Sequence, residues 1–236
     1  MPMITEASEA AASRRRASSN GTEFWFTSYI GPNRYRPAAT PPPEPGTKMP
    51  MAFLVEQDPG TTVAPHFHQA DQFQLIVGGG GTLGRHEVAP GTVHFVAAHS
   101  AYGPIRAGAA GLAYFTLRNG WDPGARYMPG ARGELPRARH HREASGGAIA
   151  AAPDGLAATP VALPPGAAMV GAAMTGPAPD DGESFWVVLD GSLILDGQRL
   201  GPRSCVFLAA GEPLPDARAG EAGARVMAMR FPARPG

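Results

Sequence analysis

The chain matches itself at a constant shift of 112 residues, and this repeat limits what it can fold into more than any other feature. Residues 73–79, Phe-Gln-Leu-Ile-Val-Gly-Gly, fall on 185–191, Phe-Trp-Val-Val-Leu-Asp-Gly. With no gap, Leu83 falls on Leu195, Pro90 on Pro202, Phe95 on Phe207, Ala97-Ala98 on Ala209-Ala210 and Arg118 on Arg230. Shared composition does not hold register over such a length, so the chain reads as one unit duplicated. Half of its 236 residues is enough to bury a core.

The unit is all-β in character. Short runs rich in Val, Leu, Phe and Tyr, at 73–77, 92–96, 112–117, 185–189 and 205–208, are bounded by turn formers drawn from 31 glycines and 26 prolines. Close spacing of such runs is the mark of a sandwich or barrel. Helical periodicity is weak and confined to the neighbourhood of 137–144. Residues 1–22, with Arg14-Arg15-Arg16 among Ala and Ser, read as a loose, disordered tail. The first unit then spans 23–118, with a strand at 24–30 added to a sheet edge and a proline-containing extended arm at 37–49. A polar, Arg- and Gly-rich linker follows at 119–147, and the second unit occupies 148–236.

Charge narrows the partners. The 20 basic and 20 acidic side chains cancel, and no basic stretch is interleaved with aromatics, which argues against nucleic acid and an anionic membrane surface. No run of about eighteen apolar residues occurs, and no apolar h-region follows the N-terminus. One cysteine, Cys205, permits no intramolecular disulfide and reads as a small buried residue. These features predict a cytoplasmic protein with a small-molecule partner.

Chemistry concentrates at His66 and His68. Side chains at i and i+2 of a strand share a face, so both imidazoles can meet one metal ion. Gln72 and Gln74 follow on the next strand. A second block, residues 90–104, carries His94, His99 and Tyr102. His94 and Thr92 face one side of their strand and Val93 and Phe95 the other; the spacing leaves open which pair faces inward. His140-His141, Arg85 and Arg106 read as solvated.

The pattern resembles the cupin superfamily. His66, His68, Gln72 and Gly79 stand where its first motif has His, His, Glu and Gly. Gly91, Phe95 and Ala97-Ala98 fit its second motif, and Tyr102 takes the place of that motif's final His. The resemblance implies two tandem cupin barrels of the double-stranded β-helix or jelly-roll type, and a homodimer formed through sheet edges. It also implies one divalent transition metal, Fe, Mn, Ni, Cu or Zn, held by His66, His68, Gln72 and Tyr102. Tyr102 is further expected to act in proton transfer, Gln74 and His94 to contact substrate, and His86, His94 or His99 to complete the ligand set. At the shift of 112, Ala178, Asp180, Ser184 and Leu214 replace the four ligand positions, so the second barrel is expected to hold no metal. The functional expectation is a metal-dependent cupin performing an oxygenase-type reaction on a small polar or aromatic molecule. The alternative is a non-catalytic bicupin that binds a metal or small ligand in a decayed site.

Overall fold

The computed structural model describes residues 1–31, 43, 48–137, 141–169, 182–213 and 215–233. Most of the arm at 37–49 lies outside the described residues, as do His140, Ala178, Asp180 and Leu214. Two compact units emerge. One is Ser13–Gly146; the other joins Met1–Ala12 to Gly147–Gly236.

In the first unit the described residues form a nine-stranded antiparallel sheet. Its order is Glu143–Gly146, Val93–Val96, Gln72–Leu83, Ile105–Arg118, Met51–Gln57, Thr22–Ile30 and Arg15–Ser19, with Thr62–Val63 and His86–Val88 paired alongside. A separate two-stranded ladder pairs His66–Phe67 with Arg126–Tyr127. Alternation along Gln72–Leu83 turns Phe73 and Leu75 to one face and Gln72, Gln74 and Ile76 to the other, and all five are buried. Ile76 joins Phe24, Phe53, Val55, Val96, Ile105 and Tyr114 in the core.

The second unit has a six-stranded sheet in the order Met3–Thr5, Cys205–Leu208, Ser184–Leu195, Ala217–Arg230 and Ala157–Leu163, with Gln198–Leu200 against Ser184–Leu195. Four of its strands reproduce Gln72–Leu83, His86–Val88, Val93–Val96 and Ile105–Arg118 at the same shift of 112. The duplication extends to backbone detail. Gly79 (φ +67°) and Gly191 (φ +68°) each lie so close to the facing strand that a Cβ would strike the carbonyl oxygen of Gly111 and Gly223 respectively. Only glycine meets both the positive φ and the close approach.

Three expectations change. Residues 1–22 do not form a loose tail: Met3–Thr5 pairs with Cys205–Phe207, Ala7–Ala11 makes a short helix, and Arg15–Ser19 pairs with Thr22–Phe26. Arg14 lies over the Trp25 ring at 4.0 Å and pairs with Glu56 at 2.7 Å, so the arginine run covers a sheet face. The stretch 119–147 is not a mere linker, because Arg126–Tyr127 and Glu143–Gly146 both pair with strands of the first unit. Near 137–144, where the sequence pattern is weakly helical, the described residues hold a strand, Glu143–Gly146, and a short helical turn lies earlier, at Gly130–Glu134. No helix of the described residues is long and apolar enough to cross a membrane.

Candidate functional site

His66 is fixed from both sides. Its backbone bridges Tyr102 through two hydrogen bonds of 3.1 and 3.0 Å and pairs in register with Tyr127. Gln72 faces Arg118 across the central ladder, and Gln74 faces Thr116 on one side and His94 on the other. Directly paired residues project to the same face. Since Gln74 lines the interior cavity, His94 faces inward too, which settles the strand face that the spacing left open.

The four expected ligand residues do come together, tied by hydrogen bonds rather than held apart for an ion. Arg118 Nε donates to Gln72 Oε1 (3.1 Å), Gln72 Nε2 to the Tyr102 hydroxyl (2.5 Å), that hydroxyl to His66 Nε2 (2.8 Å), and His66 Nδ1 to the Ala64 carbonyl (2.7 Å). His68 is engaged on both sides. Its Nδ1 donates to Asp122 Oδ1 (2.8 Å), and Arg118 Nη2 lies 3.2 Å from Nδ1 and 3.0 Å from Nε2, against the face of the ring and not in line with the Nε2 lone pair. Asp122 also accepts from the backbone N–H groups of Gln69 and Gly124 and lies 3.3 Å from Arg118 Nη1.

These contacts set the protonation states. Burial, with neighbouring His68, pushes His66 down to about 3, so its ring is neutral. Burial likewise raises the Tyr102 hydroxyl above the usual phenol range. For Asp122 burial acts upward, but the Arg118 charge, the His68 hydrogen bond and the Gln69 N–H outweigh it and hold the carboxylate well below its ordinary range. The centre therefore sets the Arg118 and Asp122 charges, 4% and 0% exposed at the side chain, beside a neutral His66.

A divalent metal does not fit this donor set. The Nε2 lone pair of His66 is taken by the Tyr102 hydroxyl, and the Arg118 guanidinium lies against the His68 ring. Gln72 and Tyr102 offer neutral oxygens, and no group of three or more His, Cys, Asp or Glu among the described residues is arranged to hold a metal. An ion bridging His68 and Gln72 would have to displace the Arg118 guanidinium, which lies 3.0 Å from His68 Nε2 and 3.1 Å from Gln72 Oε1.

The remaining expected ligands lie elsewhere. His94 Nε2 contacts Glu143 Oε1 at 2.9 Å, and His86 and His141 approach the same carboxylate at 3.9 and 3.4 Å. His99 has a positive φ of 59° and donates its backbone N–H to the His68 carbonyl. Arg85 and Arg106 are exposed. Beside the polar cluster lies a cavity of about 50 Å³ reachable by the centre of a water molecule, walled by Phe24, Phe53, Val55, Val63 and Ile105 and by His66, His68, Gln74, Tyr102, Thr116, Arg118 and Tyr127. Arg118, Asp122, Tyr127 and Glu143 are site residues that motif spacing does not reveal. One signal exists for Arg118: a charged residue closing an apolar strand, repeated at Arg230. In the second copy Trp186 and Val206 replace Gln74 and His94, and both are buried in an apolar core.

No family model matches the sequence, and no curated protein matches it. Solved structures do. They include a candidate dioxygenase from Nostoc punctiforme (TM-score 0.64, 10% identity, covering 98% of this chain and 83% of that one). The bacterial pirin YhhW of Escherichia coli, in complex with nickel(II), matches at a TM-score of 0.59 and 11% identity over 99% and 100% of the two chains. Oxalate decarboxylase of Bacillus subtilis, studied for its Mn(II) centres, matches at 0.59 and 9% over 99% and 78%. At such identities the likeness is one of fold: the chain is nearly all β and carries the cupin barrel twice.

Proposed function

We propose that the Ser13–Gly146 barrel binds a small molecule without a metal ion, Arg118 supplying the positive charge that a metal would otherwise bring. The observation that carries this reading is the guanidinium against the His68 ring, 3.0 Å from Nε2 and 3.2 Å from Nδ1, with Tyr102 on His66 Nε2 at 2.8 Å. Both imidazoles that the cupin resemblance assigns to a metal are drawn into one network with Tyr102, Arg118 and Asp122. Such a network rigidifies the floor of the cavity and leaves its apolar wall to receive a ligand of a few heavy atoms. Tyr102 then orients His66 and does not donate to a metal.

The metal-dependent, oxygenase-type reading is the second. It is favoured by the convergence of His66 and His68 in a fold shared with nickel(II)- and Mn(II)-holding proteins. It requires Arg118 to leave His68 and Gln72, and so to give up its ion pair with the buried Asp122 carboxylate. Thermal melting separates the two. Under our reading Tm is unchanged by excess chelator and by added iron, manganese, nickel, copper or zinc ions. A chelator-sensitive Tm, restored by one of these ions and lost in the His66→Ala/His68→Ala variant, would support the metalloenzyme instead.

A further inference from the structure

Two buried acceptors in the interior of the first barrel have no partner among the described residues. Gln74 is 2% exposed and its Oε1 is unbonded; His94 is 1% exposed and its Nδ1 is unbonded. The two residues are directly paired across adjacent strands, so their side chains stand side by side on one face, with Cβ atoms about 5 Å apart. The His94 tautomer follows from its other nitrogen: Nε2–H donates to the Glu143 carboxylate at 2.9 Å, which leaves a lone pair on Nδ1. Gln74 lines the cavity, and the His94 ring lies 5.5 Å from that of Tyr102, which also lines it.

A buried acceptor without a donor is costly, and native interiors seldom keep two together. In the duplicated copy Trp186 and Val206 fill the corresponding positions, so the acceptor pair belongs to the first copy alone. Resting on the small-ligand reading of the same cavity, we infer that Gln74 Oε1 and His94 Nδ1 form an acceptor pair for the donor end of the ligand, a primary amide or an ammonium group. Such a group presents two N–H donors from one nitrogen, one to each acceptor, while its short apolar remainder meets Phe53 and Ile105. Glu143, behind His94, adds negative charge that favours the same donors.

The test titrates the full chain with three probes of similar size, propionamide, propylammonium and propionate, followed by ¹⁵N-resolved NMR. Propionamide and propylammonium are expected to bind at least about tenfold more tightly than propionate, as befits satisfying rather than stranding buried acceptors. The His94 Nδ1 resonance should move on binding. Gln74→Met, which keeps length and removes the acceptor, should abolish the preference; Gln74→Glu should keep it and strengthen propylammonium further. Propionate binding as tightly as the amide, as it would if Gln74 turned its NH₂ into the cavity, overturns the acceptor pair and leaves the small-ligand reading standing. Preference that survives in Gln74→Met also overturns it. Failure of all three probes overturns both.

Discussion

Arg118 and Asp122 neutralise each other in the interior of the first barrel, and each also satisfies neutral groups around it. Removing one member of a buried pair strands the other, whereas removing both leaves a void that apolar side chains can fill. Arg118→Met should therefore destabilise the protein by about 3 kcal/mol or more in urea unfolding, and Arg118→Met/Asp122→Leu, which removes the stranded charge but also the acceptor of the Gln69 and Gly124 N–H groups, should recover part of that loss. Equal losses in the single and double variants would show that the pair does not act as a unit.

Acid stability follows from the same residues. His66 titrates near 3 in the folded protein and near 6.5 when unfolded, so the unfolded chain takes up the proton first. Its contribution is complete above about pH 6.5 and is lost as pH falls toward 3. Asp122, also depressed, adds a loss below the ordinary carboxylate range near 4. Tyr102 is raised, so its contribution holds below about pH 10 and fades above. The urea midpoint should show a plateau between about pH 6.5 and 10, with an acid limb made shallower by His66→Phe. A midpoint that stays level down to pH 4 would contradict these protonation states.

At the level of strands, the glycine pairs make a graded prediction. Gly79→Ala and Gly191→Ala meet both a positive φ and a facing carbonyl, whereas a Cβ added at Gly21 (φ +79°) would have nothing within 4 Å. The first two should each cost about 2 kcal/mol or more and Gly21→Ala about 1, read from denaturant midpoints. Similar losses at all three would mean that the close approach is relieved elsewhere. Deleting Met1–Ala12 should expose the strand Cys205–Leu208, to which Met3–Thr5 pairs, and speed hydrogen exchange at its amides. Unchanged exchange there would show that the N-terminal strand does not protect that edge.

The strands of both copies are legible in the sequence because each apolar run keeps its register at one constant shift. The first twelve residues and the stretch 119–147 are not. Met3–Thr5 is a three-residue strand of the kind that pairing, not propensity, creates. Asp122 and Glu143 lie among Gly, Pro and Arg, where a charge usually means solvent, and only the fold brings them back to His68 and His94. Spacing finds His66 and His68, but it cannot show that an arginine 50 residues on sits on His68.

Across the whole chain, one barrel design is used with two interiors. The second copy is apolar where the first has Gln74 and His94, and all seven histidines lie outside it. The first keeps a polar floor that resembles a metal centre in outline and is wired as a hydrogen-bond network. Restoring the carboxylate and imidazole and removing the cation, by Gln72→Glu, Tyr102→His and Arg118→Met together, should turn that floor into a metal site. The decisive measurement is elemental analysis of wild type beside this triple variant, each reconstituted with iron, manganese, nickel, copper and zinc ions and then desalted. A metal-free wild type beside a variant retaining near one equivalent is the expected result. Near one equivalent in the wild type, lost in His66→Ala/His68→Ala, would contradict the claim that Arg118 stands in the metal's place.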